Sequence, residues 1–330
     1  MIISRTPFRI SLFGGGSDIP IYYKHHIGKV IGFTFDRYNY ILFNQKFQKN
    51  EFKYNINYSL NEKKNQINKI EHRSVRETLK YFKFNEPFEL HYNGELPART
   101  GLGTSSAFTV GLCNIMNFIK KIKISKFNLA KEATYIEQKK IKEFVGSQDQ
   151  IHTSVGGLNK ISFDKKEILV QSINLDSDKI REIEMSSLLV FTGISRIAEK
   201  IEEKKFEKID TKKQKIISNL VNITDEAEKS FRGVKLDIRN IGSLLDDTWK
   251  LKRSLDKNVS NIKINEIYEV SKNAGAYGGK ILGAGGGGFL YLLCSKKNKK
   301  KIKKQLRKLN LIEIKLSFNG SEIISATSDY

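Results

Sequence analysis

"PARTGLGTSSAFTVGL", residues 97–112, carries the strongest constraint on the fold of this chain. Gly101 and Gly103 allow backbone angles and close approaches that a Cβ would forbid. The hydroxyl side chains of residues 104–106 follow them and can cap the first turn of a helix. Unpaired N–H groups at such a helix start, together with the helix dipole, form an anion site that suits a phosphate chain. Taken alone, the segment is equally compatible with an ordinary capped turn between a loop and a helix.

Composition places the chain among soluble globular proteins. Its 330 residues, 39% of them hydrophobic, are enough for two domains and a substantial core. The start, "MIISRTPFRISLFGGG", carries Arg5 and Arg9 in a β-like run and does not resemble a signal peptide. No stretch approaches the roughly 18 apolar residues of a membrane span. Cys113 and Cys294 lie far apart and form no metal-ligand spacing, so we expect reduced thiols in a cytoplasmic protein without a membrane partner.

The net charge of +22, from 58 Lys+Arg against 36 Asp+Glu, raises the question of nucleic-acid binding. Much of the excess is lysine scattered between isoleucines and asparagines. The densest block, "SKKNKKKIKKQLRKLN" (residues 295–310), has Ile302, Leu306 and Leu309 at helical spacing, which indicates a solvated helix face. No zinc finger, aromatic RNA-binding signature or helix-turn-helix pattern is present. We therefore expect anionic small molecules as ligands and no nucleic acid as partner.

Strand-like and helix-like patterns alternate along the chain, which predicts an α+β protein with helices on one side of its sheets. The boundary between two domains is placed near residue 180. The predicted strands are residues 2–13, 30–43, 88–92, 158–163, 188–192, 289–294 and a closing strand near 312–318. The predicted helices are residues 105–119, 128–144, 195–218, 223–236, 241–255 and the basic block 295–310.

The glycine-rich segments argue against two common nucleotide-binding motifs. A Walker phosphate loop needs Gly-Lys-Ser/Thr, and neither Gly28-Lys29-Val30 nor Gly279-Lys280-Ile281 qualifies. Residues 283–288, "GAGGGG", satisfy the dinucleotide pattern formally. They precede an apolar strand, however, instead of following a strand and opening a helix, which weighs against a Rossmann fold.

Three segments together resemble the motifs of the GHMP kinases, the superfamily of galactokinase, homoserine kinase, mevalonate kinase and phosphomevalonate kinase. "TPFRISLFGGGSD" (residues 6–18) is similar to their first motif, "PARTGLGTSSA" (97–107) to their second and "KILGAGGGGF" (280–289) to their third. The three lie in family order and the likeness extends over essentially the whole chain. It implies a phosphotransferase with an alcohol acceptor, which uses ATP and Mg²⁺. It also implies a ribosomal-S5-domain-2-like domain over residues 1–180 and a ferredoxin-like domain over 181–330.

The resemblance assigns roles around the phosphate site. Ser105 corresponds to the serine that reaches Mg²⁺, and Glu137 to the carboxylate that completes that site. Magnesium prefers few protein oxygens and several waters, which agrees with such a pair. The residues expected to contact the nucleotide are Pro97, Arg99, Gly101, Leu102, Gly103, Thr104, Ser105 and Ser106.

Asp149 corresponds to the aspartate near the attacking hydroxyl, and Arg9 to its arginine partner. An aspartate can orient or deprotonate a nucleophile, and a nearby arginine favours its charged form. The structural alternatives are an exposed helix carboxylate for Glu137, a loop-capping Asp149 and a structural ion pair for Arg9.

The first motif differs from that of galactokinases, where Gly-Glu-His precedes the aspartate and the Glu contacts the sugar 6-hydroxyl. Here Gly14, Gly15 and Gly16 stand in those places, and Asp18 corresponds to the aspartate that binds sugar hydroxyls. The substrate then either lacks a 6-hydroxyl, as fucose does, or extends beyond C6. Together "FGGGSD", "QDQ" and "GGKILGAGGGGF" most resemble the D-glycero-α-D-manno-heptose 7-phosphate kinases. That likeness implies phosphorylation of the anomeric hydroxyl to the 1,7-bisphosphate, for nucleotide-activated heptose and surface polysaccharide.

Substrate contacts are expected from the first and third motifs and from the segment "FTGISRIAEKI". In that segment a helix start forms either an anion pocket for the sugar phosphate or a plain cap with a surface arginine. Two other functions stay open, a kinase for another sugar such as fucose and a sugar and ATP sensor without turnover. A homodimer also stays open. The expected substrate residues are Gly14, Gly15, Gly16, Ser17, Asp18, Gln148, Gly193, Ser195, Arg196, Gly285, Gly286 and Gly287.

Overall fold

The computed structural model describes residues 1–46, 51–194 and 209–326, and these fold into an α+β protein, as the sequence predicts. The strands are β1 (Ile2–Phe13), β2 (Gly28–Gln45), β3 (Tyr54–Asn57), β4 (Asn61–Lys64), β5 (Phe88–Gly94), β6 (Leu158–Phe163), β7 (Ile168–Ser172), β8 (Ser187–Phe191), β9 (Ala276–Ile281), β10 (Phe289–Cys294), β11 (Leu311–Ile312) and β12 (Glu322–Ala326).

Ten α-helices lie in the described ranges. They are α1 (Pro20–Tyr23), α2 (Arg73–Tyr81), α3 (Thr104–Ile119), α4 (Lys126–Tyr135), α5 (Gln148–Val155), α6 (Ser177–Ser186), α7 (Thr211–Arg232), α8 (Ile238–Leu255), α9 (Ile262–Asn273) and α10 (Lys296–Gln305). Short 3₁₀ turns lie at Ile67–Lys69 and Lys257–Val259, and a π-helical turn at Ile136–Ile141 follows α4.

The strands of the described residues form two sheets. The larger has eight strands in the order β12-β1-β2-β5-β3-β4, with β6 and β7 attached to β2. The smaller has four strands in the order β11-β8-β10-β9. β12 pairs antiparallel with β1, so the end of the chain returns to the sheet in which it began. The division near residue 180 stays a prediction.

Strand β1 connects the core to the site. It is buried along most of its length and pairs antiparallel with β2, from Ile2 opposite Phe43 to Phe13 opposite Ile31. The register shifts after Pro7, a residue without an N–H to donate to a ladder. The Arg9 N–H bonds the carbonyl of Leu102 (3.1 Å) instead, which ties β1 to the loop before α3.

The structure corrects the second half of the sequence prediction. The helices expected at 195–218 and 223–236 are replaced, where they are described, by the unbroken helix α7, and residues 195–208 lie outside the described part. The closing strand expected near 312–318 is reduced to β11 and a single bridge between Leu316 and Phe35. The strand that does close the chain, β12, was not expected because its five residues, which include two adjacent isoleucines, show no alternation of apolar and polar side chains.

The helix expected at 128–144 ends early. The α-helical pattern gives way at Ile136 to a π turn, and Lys142 adopts φ = 62°, the left-handed conformation that stops the helix. The chain then runs as a loop to Ser147, the residue before α5. Glu137 lies in the π turn, a feature that apolar periodicity does not reveal.

The basic block forms the helix that the sequence predicts, α10, and buries Ile302 and Leu306. Both cysteines are buried free thiols. Within the described ranges, no helix combines the length and the apolar character needed to cross a membrane.

Candidate active site

A cavity of about 810 Å³ opens where the three glycine-rich segments meet. Its lining includes residues from β1 and the turn after it, the start of α3, the π turn, the start of α5 and the loop before β10. The expected site residues that line it are Arg9, Gly15, Gly16, Asp18, Arg99, Gly101, Gly103, Thr104, Ser105, Ser106, Glu137, Gln148 and Asp149.

The start of α3 leaves its first-turn amides uncovered. Gly103 is the N-cap residue with φ = 71°, and no side chain of the described chain makes a capping hydrogen bond there. The capping by Thr104, Ser105 or Ser106 that the sequence suggests is therefore absent from this helix. Uncapped amides at a helix N-terminus attract anions through their N–H groups and the helix dipole. The segment is thus not an ordinary side-chain-capped turn, and its first-turn amides are of the kind that an anion binds.

The third glycine-rich segment packs against the loop before α3. A Cβ on Gly101 would lie 2.4 Å from the carbonyl oxygen of Leu282, so only glycine permits the contact. The Phe289 N–H bonds the carbonyl of Thr100 at 3.1 Å. Two residues of the expected nucleotide set do not line the cavity: Pro97 is exposed outside it, and Leu102 is fully buried in the core.

Arg9 and Asp149 form a bidentate pair at the cavity wall. Arg9 Nε donates to Asp149 Oδ1 at 2.8 Å and Nη2 to Oδ2 at 2.6 Å. Arg9 Nη1 donates to the Gly101 carbonyl at 2.6 Å. Such a fork fixes the carboxylate in one plane. A single buried guanidinium therefore orients both Asp149 and the glycine loop.

His152 lies one turn beyond Asp149 on α5 and is fully buried. Burial, with the charge of Arg9 as a second cause, lowers the pKa of His152 to about 3. Neither ring nitrogen has a hydrogen-bond partner among the described residues. The ring fits because Gly32 has no side chain: a Cβ there would lie 2.9 Å from His152 Nε2. His152 is thus a neutral neighbour of the Arg9–Asp149 pair.

The two carboxylate oxygens of Glu137 differ in their hydrogen bonding. Its Oε2 accepts hydrogen bonds from Ser106 Oγ (3.0 Å) and from the side-chain amide of Gln150. Its Oε1 is buried and has no hydrogen-bond partner in the described ranges. Burial, followed by repulsion from Glu143, raises the pKa of Glu137 to about 7. A buried carboxylate oxygen without a partner is costly unless a ligand completes it.

These residues fit a magnesium ion. Ser105 is exposed and lines the same cavity as Glu137, so a hydroxyl and a carboxylate with one unpartnered oxygen in the described ranges belong to one site. Among residues 1–46, 51–194 and 209–326 no group of three or more His, Cys, Asp and Glu could hold a metal on its own. A cation at this place would need further oxygens from water and from a phosphate chain, which is how proteins usually bind Mg²⁺.

Asp18 is buried beside the glycine turn. Its Oδ1 accepts from the Gly16 N–H at 3.0 Å and its Oδ2 from the Gln148 N–H at 3.3 Å. Gly146 must lack a side chain, because a Cβ there would lie 1.9 Å from Asp18 Oδ2. Asp18 thus connects the first motif to the start of α5, the helix that carries Asp149.

The three glycines and Ser17 play different parts. Gly14 adopts φ = 75°, and a Cβ there would lie 1.8 Å from the Lys29 carbonyl oxygen. The Ser17 hydroxyl lies within hydrogen-bond distance of two carbonyl acceptors, those of Gly14 (2.8 Å) and Lys29 (3.0 Å), so it closes the turn. Neither of these residues lines the cavity. Gly15 does, and a Cβ on it would meet nothing closer than 3.6 Å.

The remaining substrate candidates lie elsewhere. Gly285 and Gly287 pack against Val259 and Ile194, whose carbonyl oxygens would each lie 2.7 Å from an added Cβ. The Gly286 N–H bonds the Val259 carbonyl at 2.8 Å. None of the three lines the cavity, whereas Gly283 and Ala284 just before them do. Gly193 lies in an exposed turn outside the cavity, and Ser195 and Arg196 lie outside the described residues.

Several lining residues were not expected from the sequence. One group is aromatic: the ring of His72 lies 4.6 Å from that of Phe108 and 4.8 Å from that of Tyr58. A second group is polar and comprises Thr248 and Lys252 of α8 and Lys280 of β9. Lys280 belongs to the third motif, so that motif offered a signal for it. The other residues lie outside all three motifs.

Comparison with known proteins identifies the family. The model of the GHMP kinases N-terminal domain matches residues 69–157, and that of the GHMP kinases C-terminal domain matches residues 231–310. The chain is 30% identical over 321 residues to a D-glycero-alpha-D-manno-heptose 7-phosphate kinase of Campylobacter jejuni, covering 93% of each protein. It is 28% identical over 210 residues to a bifunctional fucokinase/GDP-fucose pyrophosphorylase of Arabidopsis thaliana, covering 62% of this chain and 20% of that protein.

A solved structure supports the fold. The crystal structure of a D-glycero-D-manno-heptose 1-phosphate kinase from Bacteriodes thetaiotaomicron superimposes with a TM-score of 0.80 at 19% identity, covering 99% of this chain and all of that one. The fold class expected from the three motifs is therefore confirmed. The chain belongs to the GHMP kinase family and is a phosphotransferase with an alcohol group as acceptor.

Proposed function

We propose that the protein is an ATP-dependent sugar kinase that phosphorylates the anomeric hydroxyl of D-glycero-D-manno-heptose 7-phosphate. The product is the 1,7-bisphosphate, a precursor of nucleotide-activated heptose for surface polysaccharide. One observation carries the proposal: Asp149, oriented by Arg9, lies in the same cavity as an uncapped helix start and a buried aspartate, Asp18. The Campylobacter jejuni relative supports the choice of sugar. A cytoplasmic location and a homodimer stay predictions from the sequence.

The nucleotide would bind across the start of α3. Phosphoryl transfer depends mostly on alignment and on neutralising charge at the phosphate oxygens. The first-turn amides of α3 supply N–H donors for the triphosphate. The aromatic wall of Tyr58, His72 and Phe108 gives a flat base a surface on which to stack. Burial lowers the pKa of His72, so its ring stays neutral beside the base.

Ser105 and Glu137 would hold Mg²⁺, which when bound neutralises charge on the β- and γ-phosphate oxygens. The contribution of the chain is to present one hydroxyl and one carboxylate oxygen towards that place. Ser106 and Gln150 keep the second Glu137 oxygen engaged, so the carboxylate cannot turn away. The bond from Ser106 supports a positioning role, in which Ser106 would orient Glu137.

Asp149 would act on the acceptor. The anomeric oxygen attacks the γ-phosphorus, the bond from that phosphorus to the β–γ bridging oxygen breaks, and ADP leaves. The proton of the attacking hydroxyl passes towards the Asp149 carboxylate, which the fork of Arg9 holds in a fixed orientation. A carboxylate has about four lone-pair sites, so it accepts the substrate hydroxyl in addition to the two Arg9 bonds.

The sugar would lie over the glycine turn and Asp18. Gly15 adds no side chain to the cavity, which leaves space for a sugar longer than a hexose. Asp18 is oriented by two main-chain N–H groups and suits sugar hydroxyls as donors to it. The net charge of +22 favours an anionic sugar.

A second candidate is an anomeric kinase for a sugar without a 6-hydroxyl, such as fucose. The bare Gly15 suits it equally, and the Arabidopsis thaliana relative includes a fucokinase in its name. The deciding experiment offers a panel of free and phosphorylated hexoses and heptoses with ATP and Mg²⁺ and measures ADP release. We expect the highest kcat/KM with heptose 7-phosphate. Faster turnover of fucose than of any sugar phosphate would overturn the proposal.

A further inference from the structure

A buried polar cluster lines the cavity from the C-terminal half of the chain. Thr248 and Lys252 come from α8 and Lys280 from β9. Their exposed fractions are 2%, 7% and 2% respectively. Lysine is rarely buried to this extent without a functional or structural reason. Two lysines and a threonine therefore line the same cavity from the C-terminal half of the chain.

Main-chain carbonyl groups fix the two ammonium groups. Lys280 Nζ donates to the carbonyls of Ser11 and Leu12, each at 2.9 Å. Lys252 Nζ donates to the carbonyls of Ile281 (3.0 Å) and Gly283. A carbonyl oxygen is a neutral acceptor, and these bonds hold each ammonium group in a defined orientation.

Thr248 supplies the observation that points to a ligand. It lies four residues before Lys252, so both side chains share one face of α8. A threonine inside a helix usually bonds the carbonyl one turn earlier. The buried Thr248 Oγ1 has no partner within the part of the chain that the structure describes. An unsatisfied buried hydroxyl costs about 1–3 kcal/mol, a cost that a bound acceptor would remove.

The Lys280 end of the cluster lies next to the acceptor side of the cavity, and the Lys252 end lies at Gly283, which packs against Gly101. Lys280 bonds the carbonyl of Ser11, and the Ser11 hydroxyl lies 3.6 Å from the place of a Cβ on Gly15. Gly15 is the residue over which the proposed sugar extends. Ser105 and Glu137, by contrast, belong to α3 and to the π turn after α4.

We propose that Thr248, Lys252 and Lys280 form the subsite for the phosphate that the acceptor sugar already carries. The inference rests on the proposed function, because it takes a sugar phosphate as substrate. Three donors of this kind match a dianionic phosphate, and their burial strengthens each charge-assisted bond. The subsite would then select a phosphorylated acceptor and set its distance from Asp149.

Thr248→Val is the primary test, because valine keeps the shape and removes a hydroxyl that makes no bond within the described chain. We expect the KM for heptose 7-phosphate to rise about tenfold, the equivalent of one lost hydrogen bond. The KM for ATP and the KM for unphosphorylated heptose should not change. Lys252→Met should raise the KM for the sugar phosphate about 100-fold, since it removes a charged donor. Lys250→Met is the matched control on the same helix, where the side chain is 58% exposed, and should change nothing.

The outcomes separate this inference from the proposed function. If the wild-type enzyme phosphorylates heptose 7-phosphate but Thr248→Val leaves its KM unchanged, the subsite assignment fails and the proposed function stands. A rise in the KM for ATP in place of the sugar phosphate would also overturn the assignment. If the wild-type enzyme turns over no sugar phosphate, the proposed function itself fails. Inorganic phosphate gives an independent readout: it should compete with the sugar phosphate in the wild type, and more weakly in Thr248→Val.

Discussion

Two glycine-rich loops meet at the cavity, residues 97–106 and residues 283–288, and they use glycine for opposite purposes. In the first loop Gly103 begins a helix, no described side chain caps it, and the first-turn amides stay uncovered. In the second loop the amides are consumed by the protein itself: the Gly286 N–H bonds Val259 and the Gly288 N–H bonds Ile194, at 2.8 and 2.7 Å. Glycine content therefore does not distinguish a loop with unpaired amides from one with paired amides. The element after the loop does, because a helix start leaves N–H groups without partners and a strand start pairs them.

The second loop nevertheless packs against the first and helps to position it. A Cβ on Gly283 would lie 2.6 Å from the Cα of Gly101, so the two backbones touch. Arg9 holds the same residue from the other side through the Gly101 carbonyl. The first loop is thus positioned by a packed loop on one side and by the arginine that orients Asp149 on the other. Changes in the first loop should alter binding and chemistry, whereas changes in the second should alter stability.

The largest effect is expected for Asp149→Asn, which acts on the chemistry next to the first loop. Turnover should fall several hundredfold, because the amide cannot accept the proton and disrupts the fork with Arg9. ATP should still bind, since Asp149 is not part of the helix start. Turnover is measured as the steady-state kcat, and ATP binding as the calorimetric Kd. Asp225→Asn is the control, because Asp225 is paired with Lys29 and does not line the cavity. Wild-type turnover in Asp149→Asn would show that Asp149 takes no part in the mechanism.

Gly103→Asp should place a carboxylate of the protein itself in the first loop, at the start of α3. A carboxylate at this position places a negative charge beside the first-turn amides and repels phosphate, so the Kd for ATP should rise about 100-fold. The melting temperature should fall, because Gly103 adopts φ = 71° and a Cβ there would lie 3.1 Å from the Arg9 side chain. Gly103→Asn blocks the amides without the charge and should weaken ATP binding by about tenfold. Unaltered ATP affinity in both variants would contradict the anion site at α3.

Gly285→Ala, in the second loop, should lower stability and leave ATP binding unchanged. Gly285 has φ = 101°, and a Cβ there would lie 2.7 Å from the Val259 carbonyl oxygen. The free energy of unfolding should fall by about 2 kcal/mol. The KM for ATP should be unchanged in the protein that remains folded, as chemical denaturation and kinetics would show. Gly15→Ala, where a Cβ meets nothing closer than 3.6 Å, should leave stability unchanged; equal losses in both variants would contradict the distinction.

The smallest predicted effect is on the pH dependence of the free energy of unfolding. It distinguishes His152, which is buried near the Arg9–Asp149 pair, from the residues without titratable groups that pack against the second loop. The folded-state pKa of His152 is lowered to about 3, whereas an unfolded histidine titrates near 6.5. Below pH 6.5 the unfolded chain therefore binds a proton that the folded chain does not, and stability falls as the pH drops towards 3. His152→Gln should remove about 1 kcal/mol of the stability loss between pH 6.5 and 5.5.

Denaturant unfolding at the two pH values measures this difference. His25→Gln, at an exposed histidine, is the matched control. An identical pH slope in wild type and His152→Gln would show that the buried ring does not carry the effect. The second loop rests on Val259 and Ile194, which do not titrate, so Gly285→Ala should leave the pH slope of the wild type intact.

Much of the fold could be predicted from local pattern. The α+β class, strand β1, helix α3 and the basic helix α10 follow from apolar periodicity, because one period of side chains decides which face is buried. The π turn after α4 and the strand β12 could not be predicted, since the first breaks the helical period and the second has no clear alternation. The parts of the site within the three motifs could be proposed from the order of those motifs.

Local sequence sets where the backbone can turn without a Cβ and where a helix can begin, because such constraints involve only neighbouring residues. Which groups meet is a property of the folded chain. Arg9 bonds Asp149 across 140 residues of sequence, and Lys280 bonds the Ser11 carbonyl across 269. Folding also makes Ser17 close a turn, packs residues 285–287 inward and leaves Thr248 at the cavity with no partner among the described residues. The reason is that a hydrogen bond requires a particular distance and direction between two groups. The sequence of one segment does not specify where a distant segment lies in the folded chain.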